Sequence, residues 1–286
     1  MDRWLGALAS QTAWPEEFVI VDGGSTDGSV ERITNHPWPT GVPTPRVIVQ
    51  KCNIAEGRNL AIRSCSAGII ASTDAGSVPD PDWFAQIVRI LLEDPTIDVV
   101  GGRCITEIST PFQRRYARYL AVEHGICLSS YSPSSRNTAF RRRAWEWVGG
   151  YPEWLTLTAE DSLFNLNLHA VGCRYHHEPF AIVRWEGRST MKSYLRMLYS
   201  YGYGSAESHE ARNQYLRCIA STVFPPLILL SRHPLRDVGF RYIRNALRAF
   251  GWVHGKLKGK RFPPDWRNTP IGLLSPNTML SMNKHQ

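Results

Sequence analysis

Phe18-Val19-Ile20-Val21-Asp22-Gly23-Gly24-Ser25-Thr26-Asp27-Gly28-Ser29 is the stretch that decides the fold. A short β-branched run delivers one carboxylate into a glycine-rich turn. A buried parallel strand reads as a continuous apolar run, and in open α/β sheets ligands gather beyond the carboxyl ends of such strands, where Asp22 falls. Gly23, Gly24 and Gly28 permit positive φ or close approach of a ligand, and Asp27 or Ser25 can cap a helix starting near Ser29.

Working outward, Arg46–Gln50 reads as the next strand, after a proline-rich connector, and the segment from Gly57 to Ala67 as a helix. Gly68–Thr73 reads as a buried strand ending at Asp74. Pro79–Asp82 then supplies turn and cap residues for a helix with Phe84, Ile87, Val88, Leu91 and Leu92 on one face. Ile97–Gly101 is a further strand. This alternation of strands and helices predicts an α/β fold with a mostly parallel sheet flanked by helices. A basic, aromatic helix around Phe112, Tyr116 and Leu120 follows, then a serine-rich loop from Ser129 to Ser135 of the kind that borders sites, and the short strand Arg136–Phe140. A helix is expected to begin near Ala159, where Thr158 with Asp161 also spells a capping arrangement.

The chain has 286 residues, six cysteines without CxxC spacing and a formal charge of +8. That length can hold one large domain with an appendage, and the cysteines read as free thiols of a reducing, cytoplasmic setting. The charge favours anionic partners, but no nucleic-acid motif accompanies it, so nucleic acid is not expected. The spacing of Gly23 to Gly28 is not GxGxxG, which argues against a dinucleotide-binding oxidoreductase. Cys218–Leu230 is apolar, yet it is short of the roughly 20 residues of a span and is interrupted by Pro225-Pro226. Phe240, Ile243, Leu247, Phe250 and Val253 form a stripe bordered by Arg241, Arg244 and Arg248, the pattern of an interfacial helix or of one packed on the main domain.

VDGGSTDGS at residues 21–29 resembles the nucleotide-binding signature of family-two glycosyltransferases. So do Ala71–Gly76, similar to that family's metal and sugar-nucleotide motif, and Ala159-Glu160-Asp161, similar to its acceptor-side acidic motif. The resemblance runs from about residue 4 to residue 204. It implies a GT-A fold over residues 1–205; beyond it, residues 206–286 read from their own pattern as a helical, basic extension that either contacts a membrane or packs on the main domain. It also implies a first strand ahead of the helix at Met1–Leu8, which this sequence is expected to lack. The activity it implies is inverting, non-processive transfer of a sugar from a nucleotide-diphosphate donor to a polysaccharide, lipid-linked or other hydroxyl acceptor. The setting would be the cytoplasmic membrane face.

By the same resemblance Asp22 would bind the nucleobase, with Gly23, Gly24, Ser25 and Arg58 around the donor. Asp74 would bind the sugar nucleotide and a weakly held Mg2+ or Mn2+, because hard cations take carboxylate and phosphate oxygens. The motif's last carboxylate is replaced by Gly76, with His176 or His177 as candidate completing ligands. Asp161, or Glu160 in its place, would be the catalytic base. Asn137, Trp185 and Arg188 would border the acceptor, aromatic faces suiting sugar rings and arginine suiting phosphate. The alternative is a catalytically impaired sugar-nucleotide-binding or scaffold relative, as Gly76 and the missing strand would have it.

Overall fold

The structure, a computed structural model, describes residues 1–120, 132–208, 212–230 and 235–259. Ser129–Tyr131 of the serine-rich loop and the tail from Pro263 lie outside them. The described chain divides into two compact units. Met1–Glu153 with Asp161–Gly187 form one, and Trp154–Glu160 with Arg188–Pro264 the other.

In the first unit the order is α1 (Asp2–Ala9), β1 (Val19–Asp22), α2 (Ser29–Thr34), β2 (Arg46–Val49), α3 (Ile54–Arg63), β3 (Ile69–Ser72), β4 (Ser77–Pro79), α4 (Trp83–Glu93), β5 (Val99–Glu107), α5 (Pro111–Leu120), β6 (Thr138–Arg141), α6 (Arg142–Trp147), α7 (Glu160–Ala170) and β7 (Tyr175–Glu186). The apolar runs become strands as the sequence predicts. α4 buries Trp83, Ile87 and Leu91 at helical spacing against Val100, Ala139, Ala181 and Val183. A second core joins Phe140, Tyr151, Phe164 and Leu168, with Tyr151 stacked on Phe164 at 4.0 Å.

The sheets differ from the sequence expectation. β1 and β2 pair in parallel as a two-stranded sheet, while a five-stranded sheet runs β3-β6-β5-β7-β4. Only β5 and β7 are parallel within it; β3–β6, β5–β6 and β4–β7 are antiparallel. The α/β class holds, but the sheet is mixed rather than mostly parallel. Strand–helix alternation enforces parallel neighbours only where each helix carries the chain back to the same end, and β4 follows β3 after a turn with no helix between them.

Among the described residues, β1 pairs only with β2 and β3 only with β6. Their other edges, Val19–Asp22 and Ile69–Ser72, line one cavity of about 810 Å³, walled by Trp4, Leu8, Phe84 and Val88. Before the strands begin, Glu17 closes its base by accepting hydrogen bonds from the Ser66 N–H (2.8 Å), the Ser66 hydroxyl (2.6 Å) and the Ala67 N–H (3.0 Å).

The second unit is helical: α8 (Met191–Glu207), α9 (Arg212–Val223) and α10 (Val238–Lys258), with 3-10 turns at Pro225–Leu230 and Leu235–Asp237. α8 starts on a capping box between Thr190 and Ser193. It crosses α10 closely, where a Cβ on Gly202 would meet the Arg248 carbonyl oxygen at 2.4 Å. No described helix is long and apolar enough to cross a membrane.

Candidate active site

Asp22 ends β1 and is buried, and its Oδ1 accepts hydrogen bonds from the Gly24 N–H (2.9 Å) and the Ser25 N–H (2.6 Å). This folds the loop back on its own strand. Burial works against the charge on Asp22, but the bonds from Ser25 and Gly24 outweigh it and hold the carboxyl below its ordinary value. Asp22 is therefore ionised at neutral pH. Gly24 takes φ +93°, and a Cβ there would stand 3.6 Å from Lys51 Cα. The helix-capping role goes to Asp27, whose Oδ1 accepts from the Ser29 N–H (3.1 Å) and hydroxyl (2.5 Å).

Arg58 comes from α3, whose N-terminus is built by a capping box in which Asn53 and Glu56 exchange hydrogen bonds. Its guanidinium lies 3.0 Å from the Asp74 carboxylate, donates to the Ser135 carbonyl (3.3 Å) and Ser72 hydroxyl (3.5 Å), and sits over the Tyr151 ring at 5.6 Å. The Arg58 side chain is 13% exposed and that of Asp74 38%, so the carboxylate still faces solvent. Asp22, Gly23, Arg58, Asp74 and Tyr151 all line the cavity described above. Four predicted donor-site residues, from three separate stretches of the sequence, thus line one cavity.

The position of Gly76 carries no second carboxylate, and a Cβ there would meet open space. No cluster of three His, Cys, Asp or Glu exists among the described residues. Aligned pairings place Ser72, Thr138, Gly101 and His177 in one row across four strands. Three spacings, about 14 Å, therefore separate His177 from the strand that leads to Asp74. The histidine completion of a metal site fails on this distance. Asp74 alone fits a divalent cation, since magnesium-like ions bind through one or two carboxylates plus substrate phosphates.

Asp161 lies in the first turn of α7, half-buried, with Oδ1 accepting from the Ser162 N–H at 2.8 Å. Glu160 is buried. The capping arrangement read from Thr158 does not form, because its hydroxyl donates to the Ser200 carbonyl at 2.9 Å. Just before the acidic pair, Ala159 has φ +80°, the single non-glycine residue with positive φ among those described. Left-handed backbone at an alanine costs roughly 1–2 kcal/mol, and such strain gathers at functional positions.

Residues of the serine-rich loop, expected to border a site, join the two halves of this one. Ser135 puts its carbonyl on Arg58 and its hydroxyl 3.0 Å from the Tyr151 hydroxyl. Two residues earlier, Pro133 accepts from Asn165 Nδ2 (3.0 Å), the nitrogen that also donates to the Asp161 carbonyl (2.8 Å). Asn59 fixes Tyr151 from below, accepting its N–H (2.9 Å) and donating to its carbonyl (2.8 Å).

Three acceptor-side expectations fare differently. Asn137 is fully buried and belongs to the core: Nδ2 donates to the Arg103 (3.0 Å) and Ala181 (2.9 Å) carbonyls, and Oδ1 accepts from Trp83 Nε1 (2.8 Å). With its whole amide used inside the sheet, it is not an acceptor contact. Trp185, on β7, is half-buried under the Arg136 guanidinium at 4.6 Å. Arg188 is exposed. Asp80, read as a turn residue, also holds Arg184 through two bonds of 2.8 and 3.0 Å.

The Glycosyl transferase family 2 profile matches residues 2–155, more than half of the chain and all of the donor-side wall. The chain belongs to glycosyl transferase family 2. A pre-mycofactocin glycosyltransferase of Mycobacterium tuberculosis is 26% identical over 168 residues, 53% of this chain but 34% of that protein. Validoxylamine A glucosyltransferase of Streptomyces hygroscopicus subsp. limoneus is 29% identical over 109 residues, 36% of this chain and 23% of the relative. The chain thus spans about a third or less of these curated relatives. Among solved structures, the mannosyltransferase PcManGT from Pyrobaculum calidifontis, in complex with GDP-Man and Mn2+, aligns over 99% of this chain and 75% of its own, with TM-score 0.52 and 19% identity. TarS 1–349 of S. aureus aligns over 88% and 68%, with TM-score 0.50 and 16% identity. At such identity these likenesses concern the fold, which is GT-A.

Proposed function

We propose that this family 2 protein transfers one glycosyl residue from a nucleotide-diphosphate sugar to a hydroxyl of a glycan or lipid-linked acceptor, with inversion, on the cytoplasmic side. The observation that carries the reading is the convergence of ionised Asp22, Arg58 and Asp74 on one cavity. Asp22 accepts a base N–H, and Arg58 meets the diphosphate with a guanidinium fork that suits phosphate oxygens. A Mg2+ or Mn2+ held by Asp74 and the donor phosphates would supply further positive charge for the leaving group. Asp161 takes the acceptor hydroxyl's proton as that oxygen attacks the anomeric carbon and the bond to the diphosphate breaks. The five described cysteines are all free thiols, which suits a reducing compartment.

Calorimetric titration with a panel of nucleotide diphosphates and their sugars, with and without Mn2+, tests the donor half. One nucleotide is expected to bind, and Asp22→Ala to abolish it. Turnover of the bound donor, lost in Asp161→Asn with binding intact, tests the base. Gly76 favours a second reading, a sugar-nucleotide binder without transfer, which predicts binding but no product with any acceptor. Absence of all nucleotide binding would sink both.

A further inference from the structure

The second unit carries an apolar face turned outward. On α10, Ile243, Phe250, Val253 and Leu257 fall within roughly 80° of one another at 100° per residue and are exposed, Phe250 by 61% and Leu257 by 75%. The sequence reading set Arg241, Arg244 and Arg248 along the border of this stripe. Instead they lie on the opposite side of the helix. Arg241 is buried and donates to the Ile228 carbonyl, and Arg248 stacks over Tyr215 at 5.2 Å. Phe240, counted in the stripe, is also inside, stacked on Tyr194. α10 is thus inverted relative to a helix that faces water, which hides its apolar side. The turn after α9 repeats the pattern: Val223 is 79% exposed and Phe224 58%, with Leu229 and Leu235 also exposed.

Charge identifies what covers this surface. Residues 212–259 hold nine Lys and Arg against one acid, Asp237, a surplus equal to the +8 of the entire chain. Asp237 is buried, whereas Arg212, Arg217, Arg236 and Lys258 are exposed. Exposed apolar side chains and exposed cations within one unit, on helices too short and too polar to span, match the interface of an anionic bilayer. We infer that the second unit docks on an anionic lipid surface by inserting the α10 stripe and the Val223–Phe224 turn between head groups that its exposed cations bind. This inference is independent of the donor-site reading.

The test is co-sedimentation of the full chain with phosphatidylcholine vesicles and with vesicles of phosphatidylcholine mixed with phosphatidylglycerol, at low and high salt. Partition into the anionic vesicles is expected, weakening with salt as head-group contacts are screened. The triple variant Phe250→Ser, Val253→Ser, Leu257→Ser is expected to lower partition by about tenfold or more, since each side chain loses its apolar burial. Circular dichroism and nucleotide titration check that the variant is folded. Should it misfold, charge reversal at Arg212, Arg217, Arg236 and Lys258 serves instead, and unchanged partition of that variant overturns the proposal. It is also overturned by equal, salt-insensitive binding to both vesicles. Failure to bind vesicles, with light scattering showing a dimer that the triple variant splits, would make the face a contact between copies and likewise overturn it.

Discussion

Replacing Arg58 separates its role in holding the fold from its role toward a donor. In Arg58→Ala the protein loses the 3.0 Å contact to Asp74, the bonds to Ser135 and Ser72, and the contact with Tyr151. Hydrogen bonds to charged groups contribute about 1.5–3 kcal/mol, but Asp74 is 38% exposed and two of the bonds are long. We therefore expect a loss of about 1–2 kcal/mol, a fall in Tm of about 2–8 °C for a domain of this size. Arg58→Lys keeps the charge but not the fork, so it should recover part of the stability while a nucleotide diphosphate still binds about tenfold more weakly. Thermal melts and calorimetry on the same samples read both quantities. If the lysine variant binds nucleotide as tightly as the parent, Arg58 is a structural brace and its assignment to the diphosphate is wrong.

Gly76→Asp has room for its side chain and adds a second carboxylate beside Asp74; the expected outcome is tighter Mn2+ binding, seen by isothermal titration in the presence of nucleotide. Asp22 is held below its ordinary value of 3.8, so its stabilisation is fully present above that pH and is lost as pH falls through the lower, folded value. Urea unfolding should accordingly show Asp22→Asn less stable than the parent at pH 6, by about 1–2 kcal/mol, with the gap closing below pH ~4. A gap unchanged down to pH ~2.5 would mean the carboxylate's charge plays no part. Gly102→Ala drives a methyl to 2.3 Å from both the Ala181 carbonyl and Asn137 Oδ1, so a loss of about 1–3 kcal/mol is expected. A melt unchanged within about 1 °C would show that β5 yields freely at Gly102.

The shared lining of the cavity was legible because its residues announce themselves locally. Asp22 closes an apolar run, Asp74 closes another, and Arg58 sits one turn into a helix whose Asn53–Glu56 cap is written in the sequence. Asn137 misled because a polar residue after a serine-rich loop reads as surface. What buries it is Gly102, 35 positions earlier, whose missing side chain makes room for the amide. Strand direction in the larger sheet is likewise a property of pairs. On α10 periodicity revealed the stripe but not which side of the helix meets protein. Tyr215 on α9 decides that, by taking Arg248.

The slot between β1 and β3 gives the donor site a mechanical character. In a continuous sheet, neighbouring strands are locked together by a ladder, and the position of one dictates that of the next. Here no ladder joins the strand bearing Asp22 to the strand leading to Asp74. Two polar clasps span the gap instead, Glu17 on Ser66 and Ala67 at the base and Arg58 on Asp74 at the mouth. A diphosphate that recruits Arg58 competes with the second clasp, so ligand affinity and the width of the gap are thermodynamically linked. If Arg58 meets the diphosphate as proposed, whatever holds the mouth together in the free protein is subtracted from the affinity for the donor.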